Sequence, residues 1–210
     1  MDSADQVFNK YRQKLFNIIL FIILGQYVYR EARVVEIFRG MQIIDITFFI
    51  HNVLLISFVL FRQEYRDLDT NPLHWGVSIV SFFSNLFFIR QAESAIAVQV
   101  LANYINAGAI LFGIITILNL GRSFGIVPAV RVIKKGGLYG IIRHPMYVSD
   151  FLFKVPVVLK YISVYNIFIL ALSIYFYILR ARYEEEILMK YGEYRSYAEK
   201  VKYRFIPFVY

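Results

Sequence analysis

Cysteine is absent from the 210 residues, and histidine occurs three times. Without thiols the chain can form no disulfide, thiolate metal site or cysteine nucleophile. His51, His74 and His144 are too scattered to give the i, i+4 pair of a helical metal centre, so no metal is expected. Charge is also scarce: 18% of residues are Asp, Glu, Lys or Arg, against 59% hydrophobic, with a mean hydropathy of +0.54. A water-soluble domain rarely holds so little charge, and an integral membrane protein is expected. No GxGxxG follows a strand, and no GxSxG elbow or HExxH pair is present. The N-terminus is acidic and polar and lacks the basic start and apolar core of a cleaved signal, so Met1 is read as part of the mature protein.

What the chain does have is long apolar runs. A crossing helix takes roughly 20 apolar residues. Residues 15–29, 42–61, 73–89 and 95–120 meet or approach that length. The block 146–179 is too long for one crossing and folds back near Lys160, giving spans at 146–161 and 163–179. The expected fold is therefore an all-α polytopic bundle of about six spans. Lys and Arg set its orientation, because they favour the cytoplasmic side. The N-terminal segment, the 62–72 loop, the 121–145 loop and residues 180–210 together hold 17 of the 23. Both termini are expected in the cytoplasm. The net charge of +8 fits loops that touch anionic headgroups and gives no nucleic-acid groove. Residues 180–210 mix charge with Tyr, Ile and Leu and read as amphipathic helices, the first ending near Gly192 and the second at Pro207.

Polar residues at the membrane boundary are the candidates for chemistry. In "LYGIIRHPMYVSDF" (138–151), Pro145 holds His144 extended and suits the first position of a helix. The unpaired amides of that helix start and the Tyr147 hydroxyl make a place for a polar ligand. "EEE" at 184–186 lies one turn past the last span, where Glu184 is spaced to pair with Arg180. Acidic groups there can bind an ammonium or hydroxyls. Arg180, Arg182 and Arg204 can either reach for phosphates or clamp a carboxylate. Lys154 falls inside the fifth span, with Asp150 one turn away as a partner.

Three segments then fall in order: "LGRSFGIVPAVRVIKKGGLYGIIRHPMY" (120–147), "RARYEEEIL" (180–188) and "YGEYRSYAEKVKYRFIP" (191–207). Together they resemble the integral-membrane methyltransferases related to isoprenylcysteine carboxyl methyltransferase and phospholipid N-methyltransferases. The resemblance covers about the last 90 residues and divides the chain into a methyltransferase-like core, 95–210, and unmatched spans, 1–94. It implies S-adenosylmethionine as methyl donor and a lipophilic acceptor bearing a carboxylate, amine or phenol. By position it puts His144, Pro145 and Tyr147 against the cofactor, with Gly137 and Tyr139 lining its approach. Glu184 and Glu185 would hold the cofactor's polar end beside Leu188, and Arg180 and Arg204 would steer the acceptor. The sequence departs from the commoner pattern at Ser149 and at Gly136-Gly137-Leu138. RHP-x-Y with Asp150 and the ending "VKYRFIPFVY" also resemble the membrane NADPH-dependent sterol reductases. The nearness of "LGRSF" to RHP and the short chain favour the methyltransferase.

Overall fold

The computed structural model describes Tyr11 and residues 14–15, 17–26, 28–29, 43–90 and 93–209. Seven helices are described: α1 (Asn17–Gln26), α2 (Ile43–Leu60), α3 (Pro72–Phe82), α4 (Ile96–Leu120), α5 (Pro145–Lys160), α6 (Val164–Leu188) and α7 (Gly192–Lys200). A two-residue antiparallel pair, β1 (Asp67–Leu68) and β2 (Ala129–Val130), joins Asp67 to Val130 and Leu68 to Ala129.

The segments Ile96–Ser123 and Val164–Leu188 are long and apolar enough to cross a bilayer. Their outward residues, among them Tyr104, Leu111 and Leu118 on α4 and Phe168 and Tyr175 on α6, are exposed. An apolar face left bare in this way is matched by lipid rather than water. The composition and these two helices support an integral membrane protein. The expected crossing at 73–89 is interrupted: α3 stops at Phe82 and a 3₁₀ turn follows at Ser84–Phe87. At 1.5 Å per residue, α3 spans roughly 16 Å, about half of a hydrocarbon core. Of the expected first span, 15–29, ten residues form α1, and residues 16 and 27 lie outside those described.

Local signals in the sequence set the helix ends. Asn71 caps α3 by accepting from the Leu73 amide at 3.0 Å, with Pro72 at the first turn. Ser163 caps α6 through the Asn166 amide at 3.1 Å. Asn166 also clasps the preceding connection, accepting from the Ile89 amide and donating to the carbonyls of Ile89 and Tyr161. Gly192 opens α7 instead of closing the helix before it; α6 ends four residues earlier, at Leu188.

Packing follows the order of the chain only in part. α5 lies along α4, α2 packs on α4, and α3 rests against α6. Gly113 lets three helices approach closely, since a Cβ there would lie 3.0 Å from His51 Nε2, Phe153 Cε2 and Ser149 Oγ. Leu55, Val59, Ile117, Phe124, Met146, Tyr147, Tyr177 and Ala181 form the main core. A second cluster joins Val130, Ile187, Leu188, Tyr194, Tyr197 and Val201. It ties β2 and α7 to the far end of α6. The 62–72 loop, the 121–145 loop and the tail thus meet at one end of the bundle.

Candidate active site

His144 comes first, since its backbone is fixed from both directions. It is the residue before α5, and its carbonyl accepts from the Tyr147 amide at 3.1 Å. Its own amide donates to the Arg204 carbonyl at 2.9 Å, and the Arg143 amide donates to Tyr203 at 2.9 Å. The tail therefore runs beside the RHP segment like an added strand. The imidazole is buried, with Nε2 3.0 Å from Glu185 Oε1 and Nδ1 3.8 Å from Glu184 Oε2.

Glu185 is the hub of this region. Its Oε2 accepts from Arg204 Nε at 2.9 Å and lies 2.8 Å from Arg204 Nη2. Its Oε1 faces Arg143 Nε at 3.3 Å as well as His144. A buried carboxylate is tolerated only when its charge and lone pairs are met in this way. Glu184, one residue earlier, points to the other side and accepts from the Tyr147 hydroxyl.

Rings stack below this cluster. His144 and Tyr147 are nearly parallel, 5.2 Å between centroids, and Tyr147 continues onto Tyr177 at 5.9 Å. Arg180 lies over the Tyr147 ring at 4.7 Å. Its Nη2 donates to the carbonyls of Ile126 at 2.7 Å and Gly125 at 3.2 Å. The expected Arg180–Glu184 pair is replaced by these bonds, because the 121–134 loop brings bare carbonyls to the helix. Lys154 likewise donates to the Asp150 carbonyl at 3.1 Å and to the Tyr177 hydroxyl, rather than pairing with the Asp150 carboxylate.

These elements line a cavity that is partly open to the outside. Tyr139, His144, Tyr147, Arg180, Glu184 and Leu188 line it, and all six were expected at a site from the sequence. Pro145, Glu185 and Arg204 stand behind this wall and hold it. Gly137 serves the turn itself: its φ is +59°, and a Cβ would lie 1.6 Å from Asn119 Oδ1, which accepts from the Leu138 amide. The Tyr197 hydroxyl donates to the Tyr139 carbonyl at 2.7 Å. Burial pushes the phenols of Tyr139, Tyr194 and Tyr197 above their ordinary range, so they remain neutral donors.

Among the other lining residues, Arg131, Tyr194 and Tyr197 escaped the sequence reading. The tyrosines recur at i, i+3 in α7, which a search for buried tail aromatics would find. Arg131 sits beside β2, whose partner strand lies in the part of the chain that the sequence left unmatched. There the Gln63, Arg66 and Asp69 amides donate to the carbonyls of Arg122, Val130 and Pro128, at 2.8, 2.7 and 3.1 Å. His74 then bonds Asp69 at 2.6 Å and stacks on Tyr183 at 3.8 Å, anchoring the loop to α6.

The arrangement defines a helical membrane protein with a polar, aromatic-walled cavity at one end of its bundle. The family described as phospholipid methyltransferase matches residues 93–194, which bears out the resemblance read from the ordered motifs. The matched region holds most of the residues that line the cavity. No curated protein matches the chain.

Proposed function

We propose that the cavity binds S-adenosylmethionine and that a lipophilic acceptor, bearing an amine, carboxylate or phenol, is methylated there. One observation carries this reading: His144, Tyr147, Glu184 and Leu188, drawn from two motifs far apart in the chain, line one cavity inside the matched region. The donor set suits the cofactor, with a carboxylate for its ammonium, buried phenols for its hydroxyls and flat rings for its base. When bound, the cofactor supplies a methyl group on an electrophilic sulfonium, and no covalent protein nucleophile is required.

The work left to the chain is binding, orientation and exclusion of water. His144 and Tyr147 form the wall against the cofactor, and Glu184 holds its polar end. Glu185 fixes His144 from behind, with Pro145 setting the helix start. Gly137 and Tyr139 shape the approach. Arg180 and Arg204, expected to steer the acceptor, act in this reading as positioning residues: Arg180 holds the Gly125 and Ile126 carbonyls, and Arg204 holds Glu185. The acceptor enters from the bilayer between helices, and the cofactor enters from the cytoplasm, where both termini lie. A multi-pass bundle and a core of 95–210 belong to this reading.

Titration calorimetry of the detergent-solubilised protein is expected to show micromolar binding of S-adenosylhomocysteine, weakened at least ~10-fold in His144→Ala. Binding of NADPH with no heat from S-adenosylhomocysteine would overturn the reading in favour of a reductase. Mass spectrometry of lipids that gain one methyl group on expression identifies the acceptor.

A further inference from the structure

Arg131 is buried, 7% exposed, yet its guanidinium is almost unbonded. Its Nε donates to the Gln63 carbonyl at 3.3 Å, and among the described residues neither Nη atom has an acceptor. Leaving charged donors bare in a protein interior is costly, so such a group marks a place where a partner is expected.

The surroundings are built around this side chain. Nη1 rests against Gly125, in the space beside its Cα. Arg131 lines both the main cavity and a smaller recess beside it, and Glu184 lines both as well. The two interact electrostatically but form no bond. Burial moves the Arg131 guanidinium down to about 10, with Glu184 and Tyr65 acting in the opposite sense. Arg62 is also lowered to about 10, first by burial and then by the positive charge of Arg131. Like charges that repel one another in a buried setting favour an anion beside them.

We propose that Arg131 is the carboxylate receptor of the site: its Nη groups bind the carboxylate of the cofactor's amino-acid end, while Glu184 takes the ammonium of the same group. This rests on the reading of the cavity as an S-adenosylmethionine site. It assigns the zwitterionic end of the ligand to two residues of opposite sign, on different elements and already unpaired with one another. It also gives the 62–72 loop a part in binding, since Gln63 holds Arg131 and the β1–β2 pair holds the strand beside it.

The test compares S-adenosylhomocysteine with methylthioadenosine, which keeps the nucleoside and sulfur but lacks the amino-acid end. Calorimetry on the full-length protein in detergent is expected to show S-adenosylhomocysteine bound ~30-fold more tightly, the scale of a buried charge-assisted pair. In Arg131→Gln that preference is expected to vanish, with methylthioadenosine binding unchanged, and Arg131→Lys is expected to restore part of it. Equal binding of the two ligands by wild type, or a preference that survives in Arg131→Gln, overturns the assignment and leaves the cofactor reading intact. Loss of both ligands in Arg131→Gln also overturns it, since the residue is then a structural support. A change confined to the KM for phosphatidylethanolamine vesicles would give Arg131 to a headgroup phosphate instead. If wild type binds neither nucleoside, the cofactor reading itself falls.

Discussion

Two walls face each other across the cavity, and they are made in different ways. On one side, α5, α6 and the tail present side chains to side chains: His144 to Glu185, Tyr147 to Glu184, Arg204 to Glu185. On the other, the 62–72 loop and the 121–134 loop are joined chiefly through main chain, by the amides of Gln63, Arg66 and Asp69. A side-chain wall depends on residue identity at every position. A main-chain wall depends on backbone course and tolerates many sequences. The cavity thus joins a part fixed by its chemistry to a part fixed by its shape.

Removing the hub of the side-chain wall should have the largest effect. Glu185→Ala leaves Arg204, Arg143 and His144 without their common carboxylate, and breaking a buried pair from one side costs about 3 kcal/mol or more. Chemical unfolding in detergent is expected to show that loss, with cofactor binding abolished. Near-wild-type stability would mean that the cluster contributes little. Gly137→Ala comes next. Its added Cβ meets Asn119 and its φ is positive, so about 1–3 kcal/mol should disappear from the melting transition. Tyr147→Phe keeps the ring stack and removes one hydroxyl, for about 1 kcal/mol, or roughly fivefold in S-adenosylhomocysteine affinity. A full hundredfold loss there would show that the hydroxyl touches the reacting groups.

The smallest effect is expected on the main-chain wall. His74→Ala removes a stack and a bond that lie outside the cavity, worth about 1 kcal/mol together. Hydrogen exchange should rise at the amides of residues 63–69 while α4 and α5 stay protected. Exchange unchanged at those amides would show that the strand pair holds without its anchor to Tyr183.

The same contrast explains what could be read in advance. His144, Tyr147 and Glu184 carry their chemistry in their own side chains, and their motifs stand out in one sequence. α4 and α6 were equally legible, because an apolar run declares itself. Arg180 was visible as a residue but not in its contacts, since its partners are carbonyls 54 and 55 positions away. Gly137 was placed at the cavity, whereas its real constraint comes from Asn119 in the preceding helix. Arg131 and the β1–β2 pair were not read at all, as two strand residues and a lone arginine make no pattern. The break after Phe82 was hidden by composition, which stays apolar through the 3₁₀ turn.

The pairing of Tyr203 and Arg204 with the backbone of Arg143 and His144 also imposes an order in time. Helices α4, α5 and α6 can enter the bilayer as they are made, but the segment beside His144 leaves the ribosome only after some sixty further residues, at roughly 5–20 residues per second. During that interval the motif is made but unclosed, with the Glu185 carboxylate lacking Arg204. The membrane bundle is assembled first, and the last stretch of the tail then closes the ligand pocket.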